Sequence, residues 1–120
     1  LVVVGRDRGD MAAAANALRE AGGGYAAVCA GQVLALAALP VAGILADRPV
    51  AEIAVEFDQF CAAAGDLGVS DQPLKLLTSL PLPVVPSFRP TDRGLVDVQR
   101  QTFIPAFEFL DEDTTNQEAR

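Results

Sequence analysis

Apolar positions along this chain alternate between two rhythms, and the changes of rhythm mark out a series of elements. Leu1-Val2-Val3-Val4 is a continuous, mostly β-branched run closed by Gly5, the pattern of a buried strand. Met11, Ala14, Ala15 and Leu18 then recur at helical spacing, with Asn16, Arg19 and Glu20 on the opposite face. Asp7 stands where an N-cap belongs, and Asp10 follows three positions on, an acidic variant of the capping box. Gly22-Gly23-Gly24 ends this helix, because glycine alone enters the left-handed conformation cheaply. Tyr25 to Leu36 is expected to be a hairpin folded around Ala30-Gly31. A type I′ turn needs positive φ at both central residues, which suits Ala30 poorly. A type I turn with Gly31 left-handed in a bulge is therefore expected.

Ala38 to Ala46 is an apolar connection containing Pro40 and Gly43. Asp47 and Pro49 open a second helix, with proline in the first turn. Its apolar stripe is Val50, Ile53, Ala54, Phe57, Phe60, Cys61 and Ala64, while Glu52, Glu56, Gln59 and Asp66 face water. Leu74 to Leu80 fits a short helix or a strand. Pro81, Pro83 and Pro86 each remove a ladder donor, so this stretch reads as extended chain at an edge. Thr91-Asp92-Arg93-Gly94 is a turn with glycine at its close. Val96 to Val98 and Thr102 to Phe109 read as strands, with Pro105 marking a bulge or an edge. Residues 1–110 thus form one domain, and 111–120, with almost no apolar content, is expected to be a disordered acidic tail. The predicted order is β-α-β-β-α-β-β. This is an α+β fold with a mixed or antiparallel β-sheet packed against two main helices.

Composition sharpens the picture. A chain of 120 residues suits one domain. At this length roughly two thirds of the unfolded surface can be buried. The apolar fraction is 51%, but much of it is alanine, so Leu, Val, Ile and Phe must build the core. The net charge of −7, with Lys75 the only lysine among nine basic residues, repels phosphate backbones and anionic membrane surfaces. No nucleic-acid or membrane partner is expected. No apolar run reaches the length that spans a bilayer. The N-terminus lacks a signal-peptide pattern and reads as a strand already in progress, so a preceding segment is expected. Cys29 and Cys61 are far apart and outside any CxxC pattern, and they read as buried free thiols in a reducing cytoplasm.

The most informative chemical feature is an absence. The chain has no histidine, which excludes a Ser-His-Asp or Cys-His nucleophile and any histidine-built metal site. No catalytic, cofactor-binding or metal-binding residue is expected. Asp7 and Asp10 read as caps, and Glu52, Glu56 and Asp58 as a solvated helix face. Gly5-Arg6-Asp7-Arg8-Gly9-Asp10 matches neither GxGxxG nor GxxxxGK, and its two aspartates would occupy the place of an anion. Two proline-rich stretches, Leu39 to Leu45 and Leu80 to Pro86, are too apolar for free surface loops. Either they close the domain's own core, or they pack against another domain or subunit. The candidate interface residues are Leu39, Pro40, Val41, Ile44, Leu45, Leu82, Pro83 and Val84.

One resemblance runs from Leu1 to about Phe109. It rests on Val2-Val3-Val4-Gly5, Asp10-Met11-Ala12, Asn16, the triple glycine and Leu39-Pro40-Val41-Ala42-Gly43 with Asp47 and Pro49. It continues through Leu82-Pro83-Val84-Val85-Pro86 and Thr91-Asp92-Arg93-Gly94-Leu95-Val96-Asp97-Val98. In that order and at these separations, the set resembles the C-terminal domain of bacterial adenine deaminases of the amidohydrolase superfamily. Where that family has Gly-Leu-Met-Ser-Asp, this chain has Gly43-Ile44-Leu45-Ala46-Asp47, and the usual Asp-Gly turn is Ala30-Gly31.

The resemblance implies a cytoplasmic purine-salvage parent enzyme that hydrolyses adenine to hypoxanthine and ammonia. A metal-bound water attacks C6 of the purine, on a binuclear manganese or iron centre in an upstream β/α barrel. A His-Asp-x-His-Asn-like stretch precedes the opening strand in that family and is not in this chain. The expected partners are the upstream barrel and further copies in a homo-oligomer, and the domain alone is expected to be inactive. The alternative is a free-standing interaction or oligomerisation module of the same fold. A small-ligand-binding domain would need a polar pocket that the residues do not reveal.

Overall fold

The computed structural model describes residues 1–69 and 72–106. It divides into two compact units, one spanning Leu1–Thr78 and the other beginning at Ser79. The expected tail at 111–120 lies outside the described residues. Among those described, no helix is long and apolar enough to cross a membrane.

The first unit opens with helix α1, Arg8–Ala21. Asp7 caps it as expected, its carboxylate accepting the Asp10 N–H at 2.9 Å. The helix ends at Gly22 with φ 80°, and the Gly23 N–H closes the last turn on the Leu18 carbonyl at 2.9 Å. The glycines have a second purpose. A Cβ on Gly22 would lie 3.2 Å from the Pro40 Cα, and one on Gly23 would run into the backbone of Gly43. The triple glycine is therefore where the 40–43 loop packs against the helix end.

Strands β1, Gly24–Cys29, and β2, Gln32–Ala38, form the expected antiparallel hairpin. Ala27 pairs with Ala35 but Val28 with Val33, which leaves Leu34 as an extra, bulged residue on β2. Strand alternation places Tyr25, Ala27, Ala35 and Ala37 on one face, against helix α2, Val50–Asp66. Ala27, Ala35, Phe60 and Ala64 are the buried cluster there. Phe60 is 1% exposed, the one large side chain fully buried among the described residues. The Tyr25 ring tilts against Phe57 and Phe60, with centroids 5.7 and 5.5 Å away. Leu74 and Leu77 of α3, Pro73–Ser79, complete the cluster's surround. The opposite face, with Ala26 and half-buried Leu36, lies towards α1.

In the second unit β3, Phe88–Thr91, β4, Gly94–Asp97, and β5, Thr102–Ile104, form an antiparallel sheet in that order. Thr91 to Gly94 is the expected turn, closed by the Thr91 hydroxyl donating to the Gly94 carbonyl at 2.8 Å. The buried Asp97 carboxylate turns the chain towards β5 by accepting the N–H groups of Gln99 and Arg100, each at 3.0 Å. The Arg93 guanidinium sits 5.4 Å from the centre of the Phe103 ring.

The α+β class holds, with both sheets antiparallel and helices α1 and α2 packed on the first. Several details are corrected, among them the cysteines: Cys29, at the end of β1, is exposed and Cys61 only half-buried. Residues 1–4 form no strand, because among the described residues no ladder partner hydrogen-bonds to them. Of Leu74 to Leu80, all but Leu80 resolve as helix, and an unexpected strand, β3, carries Pro90 on an edge where no donor is missed. β5 stops at Ile104, just before Pro105, and 107–109 lie outside the described residues. Pro49 is the N-cap of α2 rather than a first-turn residue, and no side chain caps that helix. The hairpin turn has both Ala30 and Gly31 at positive φ, 51° and 74°, the signature of type I′.

Candidate functional site

The carboxylates that sequence reasoning placed on caps and a wet helix face have more specific work. Asp10 does not reach back to the N-cap as a capping box would. Its two oxygens instead accept the Ala30 N–H at 3.1 Å and the Gly31 N–H at 2.7 Å. The first turn of α1 is thereby tied to the tip of the hairpin, which explains how Ala30 is held at positive φ.

Glu56 likewise is not on a solvated face. The Arg48 guanidinium donates from Nη1 to its Oε1, and from Nη2 to its Oε2 at 3.1 Å. Nη2 also donates to the Ala38 carbonyl at 3.0 Å, and Glu56 Oε2 accepts the Ala38 N–H at 3.2 Å. The ion pair thus satisfies both backbone groups at the end of β2. The Arg48 hydrogen bond is the main cause holding the Glu56 carboxyl below its ordinary range. Partial burial opposes it, while the Ala38 N–H and the Arg48 charge assist. The same hydrogen bond raises Arg48 above its usual value, again against burial. Sequence reasoning missed this pair, since only the hairpin brings Ala38 beside it.

The two apolar loops part company with their alternatives residue by residue. Leu39 is buried and belongs to the unit's own interior. Beyond it Val41 and Leu45 form an isolated bridge, each donating its N–H to the other's carbonyl at 3.0 Å. Ala42 and Gly43 make the turn between them, at φ 55° and 75°. This miniature hairpin, rigid by its hydrogen bonds, holds Pro40, Val41, Ile44 and Leu45 out to solvent, with Ile44 70% exposed. In the second unit Leu82, Pro83 and Val84 are also exposed, on turns closed by Leu82 N–H to Ser79 O and Val85 N–H to Leu82 O, both 3.2 Å.

Neither loop carries reactive chemistry. Among the described residues no three His, Cys, Asp or Glu side chains come together, and the chain has no imidazole, so these residues do not fit a binuclear metal centre. A cavity of about 530 Å³ lies beside β1 in the first unit. It is lined mainly by aliphatic and aromatic groups, and the Asp7 and Asp10 carboxylates at its rim are already engaged with backbone N–H groups. Arg6 is the one further charged side chain among its lining residues, fewer than the several convergent polar groups that orient a small ligand.

Residues 1–102 match the family described as adenine deaminase C-terminal domain. The adenine deaminase of Desulfatibacillum aliphaticivorans is 39% identical over 109 residues, covering 90% of this chain and 19% of that protein. That of Cereibacter sphaeroides strain ATCC 17025 / ATH 2.4.3 is 46% identical, over 88% of this chain and 19% of its own length. That of Moorella thermoacetica is 47% identical, over 81% and 16%. The chain thus spans about a fifth of the length of the curated relatives it matches. On this match, and with the α+β architecture in place, the chain belongs to the adenine deaminase C-terminal domain family.

Proposed function

We propose that this chain is the accessory C-terminal domain of a metal-dependent adenine deaminase, itself non-catalytic, and that it supplies interdomain or subunit contacts. The parent reaction would convert adenine and water to hypoxanthine and ammonia, in cytoplasmic purine salvage. The binuclear manganese or iron centre would belong to a barrel outside this chain.

One observation carries the reading: a hydrogen-bonded hairpin presents Val41, Ile44 and Leu45 to solvent in a chain whose relatives are about five times longer. Apolar groups held rigidly outward cost solvation and little ordering entropy, which suits a contact surface. The loop at Leu82 to Val84 offers a second patch on the other unit. The test of inactivity is direct. The 120-residue chain, incubated with adenine and Mn²⁺ or Fe²⁺, is expected to release no ammonia, and release above the metal-only control would overturn the assignment of chemistry to another domain.

A further inference from the structure

The two edges of the β1–β2 sheet are treated differently. At the β2 edge, Leu34 is bulged, and the outward N–H and C=O of Ala38 are taken by Glu56 and Arg48. That edge is closed to a further strand by the devices that commonly protect sheet edges. The β1 edge has no such protection. Gly24 pairs with Ala38, whose polar groups point away from β1, so antiparallel alternation turns those of Ala26, opposite Leu36, to the free edge of β1.

What lies along that edge is the 530 Å³ cavity. Ala26 to Cys29 form one wall and Val2 to Asp7 another, with Met11, Ala14 and Leu18 of α1 on one side and Phe60 and Ala64 of α2 on the other. The space is therefore bounded by a strand edge, by two helices, and by a run of three valines that makes no backbone hydrogen bond among the described residues. Two-stranded sheets are marginal, and a third strand with apolar faces is the usual remedy. The connection is already of the right kind. Residues 1–4, helix α1 of 14 residues and β1 follow one another in the order of a β-α-β unit, a connection that would set 1–4 parallel to β1. Gly5 permits the close turn, since a Cβ there would come within 2.7 Å of Met11 Cγ.

We propose that Val2–Val4 is a strap that closes onto β1 as a parallel edge strand, filling the cavity between α1 and α2 and engaging the free groups of Ala26. The proposal rests on the fold alone and is independent of the enzymatic reading. Hydrogen exchange on the intact polypeptide that carries this chain tests it. Amides of 2–4 and 24–29 are expected to be protected together. Val3→Pro should speed both by roughly tenfold, the loss expected for about one hydrogen bond at a strand edge, while α2 stays protected. Val3→Thr, which keeps the N–H and the β-branch, should restore protection. Unchanged exchange at 24–29 in Val3→Pro with α2 intact would overturn the strap. Should Val3→Pro unfold the domain, Val2→Cys paired with Ala26→Cys, or Val4→Cys paired with Val28→Cys, the register in which the Val3 N–H donates to Ala26, decides instead in a Cys29→Ala, Cys61→Ala background. Rapid disulfide formation in one pair supports the strap, and failure in both overturns it.

Discussion

The Asp10 carboxylate accepts the Gly31 N–H at 2.7 Å, joining the first turn of α1 to a hairpin tip 21 residues away. Together with the bond from the Ala30 N–H, this makes one side chain the only side-chain acceptor seen on the turn's two central donors among the described residues. Asp10→Ala removes two charge-assisted bonds at a solvent-accessible site. Each is worth about 1 kcal/mol there, so a loss of about 1–2 kcal/mol is expected in a chemical denaturation series. Asp10→Asn, which keeps two acceptor positions on one oxygen, should lose less. Equal loss in both variants would show that charge rather than the bonds sets the effect.

Ala30 pays for its place in a type I′ turn with a left-handed backbone, at φ 51°. A Cβ in that region costs roughly 1–2 kcal/mol, part of which Asp10 offsets. Asn accepts this conformation more readily, so Ala30→Asn should stabilise the chain by about 0.5–1 kcal/mol. Glycine gains less, because it adds freedom to the unfolded chain. A thermal midpoint that falls in Ala30→Asn would mean that the turn is not type I′ in solution.

Glu56 gives the fold an acid-sensitive joint. Its carboxyl is held below the ordinary value of 4.5, chiefly by the Arg48 hydrogen bond. For a group depressed in the folded state, the stabilisation is complete above the unfolded value and disappears as pH falls through the folded one. The thermal midpoint of Glu56→Gln should therefore lie below that of the parent chain at pH 7, and the gap should narrow as pH drops through and below 4.5. A gap independent of pH would assign the effect to packing instead. Arg48 adds no pH dependence in this range, because its raised value lies far above it.

These relationships show where sequence is readable and where it is not. Ile53, Phe60 and Ala64 of the α2 stripe, the Asp7 cap and the Gly22 terminator depend on neighbours within about a turn of helix and are visible in the residue order, whereas Val50, 84% exposed, and Ala54 of that stripe face solvent. The Ala30 turn type depends on Asp10, and the state of Glu56 depends on Ala38, which only the folded hairpin delivers. Val2–Val4 has the composition of a strand, but a strand exists through its ladder partner, which no local pattern specifies. The residues alone do not announce β3, an edge strand on which Pro90 is tolerated. The candidate interface divided in the same way. Apolar composition picked out the loop, while only the bridge between Val41 and Leu45 determined that Ile44 faces out and Leu39 faces in.

That division makes the contact surface testable without disturbing the fold. Ile44 is 70% exposed on a turn whose hydrogen bonds are all backbone, so Ile44→Asp should change the stability of the isolated chain by no more than about 0.5 kcal/mol. In the intact parent the same carboxylate would be buried against an apolar partner, where an unpaired charge is costly. The expected result is a weakened interdomain or subunit contact, read as faster proteolysis between the domains or a shift to smaller species in analytical ultracentrifugation. Leu39→Asp provides the contrast, since burying that charge within the unit should unfold the isolated chain itself. If Ile44→Asp leaves both assembly and proteolysis of the intact protein unchanged, the 41–45 hairpin is not the surface through which this domain is held.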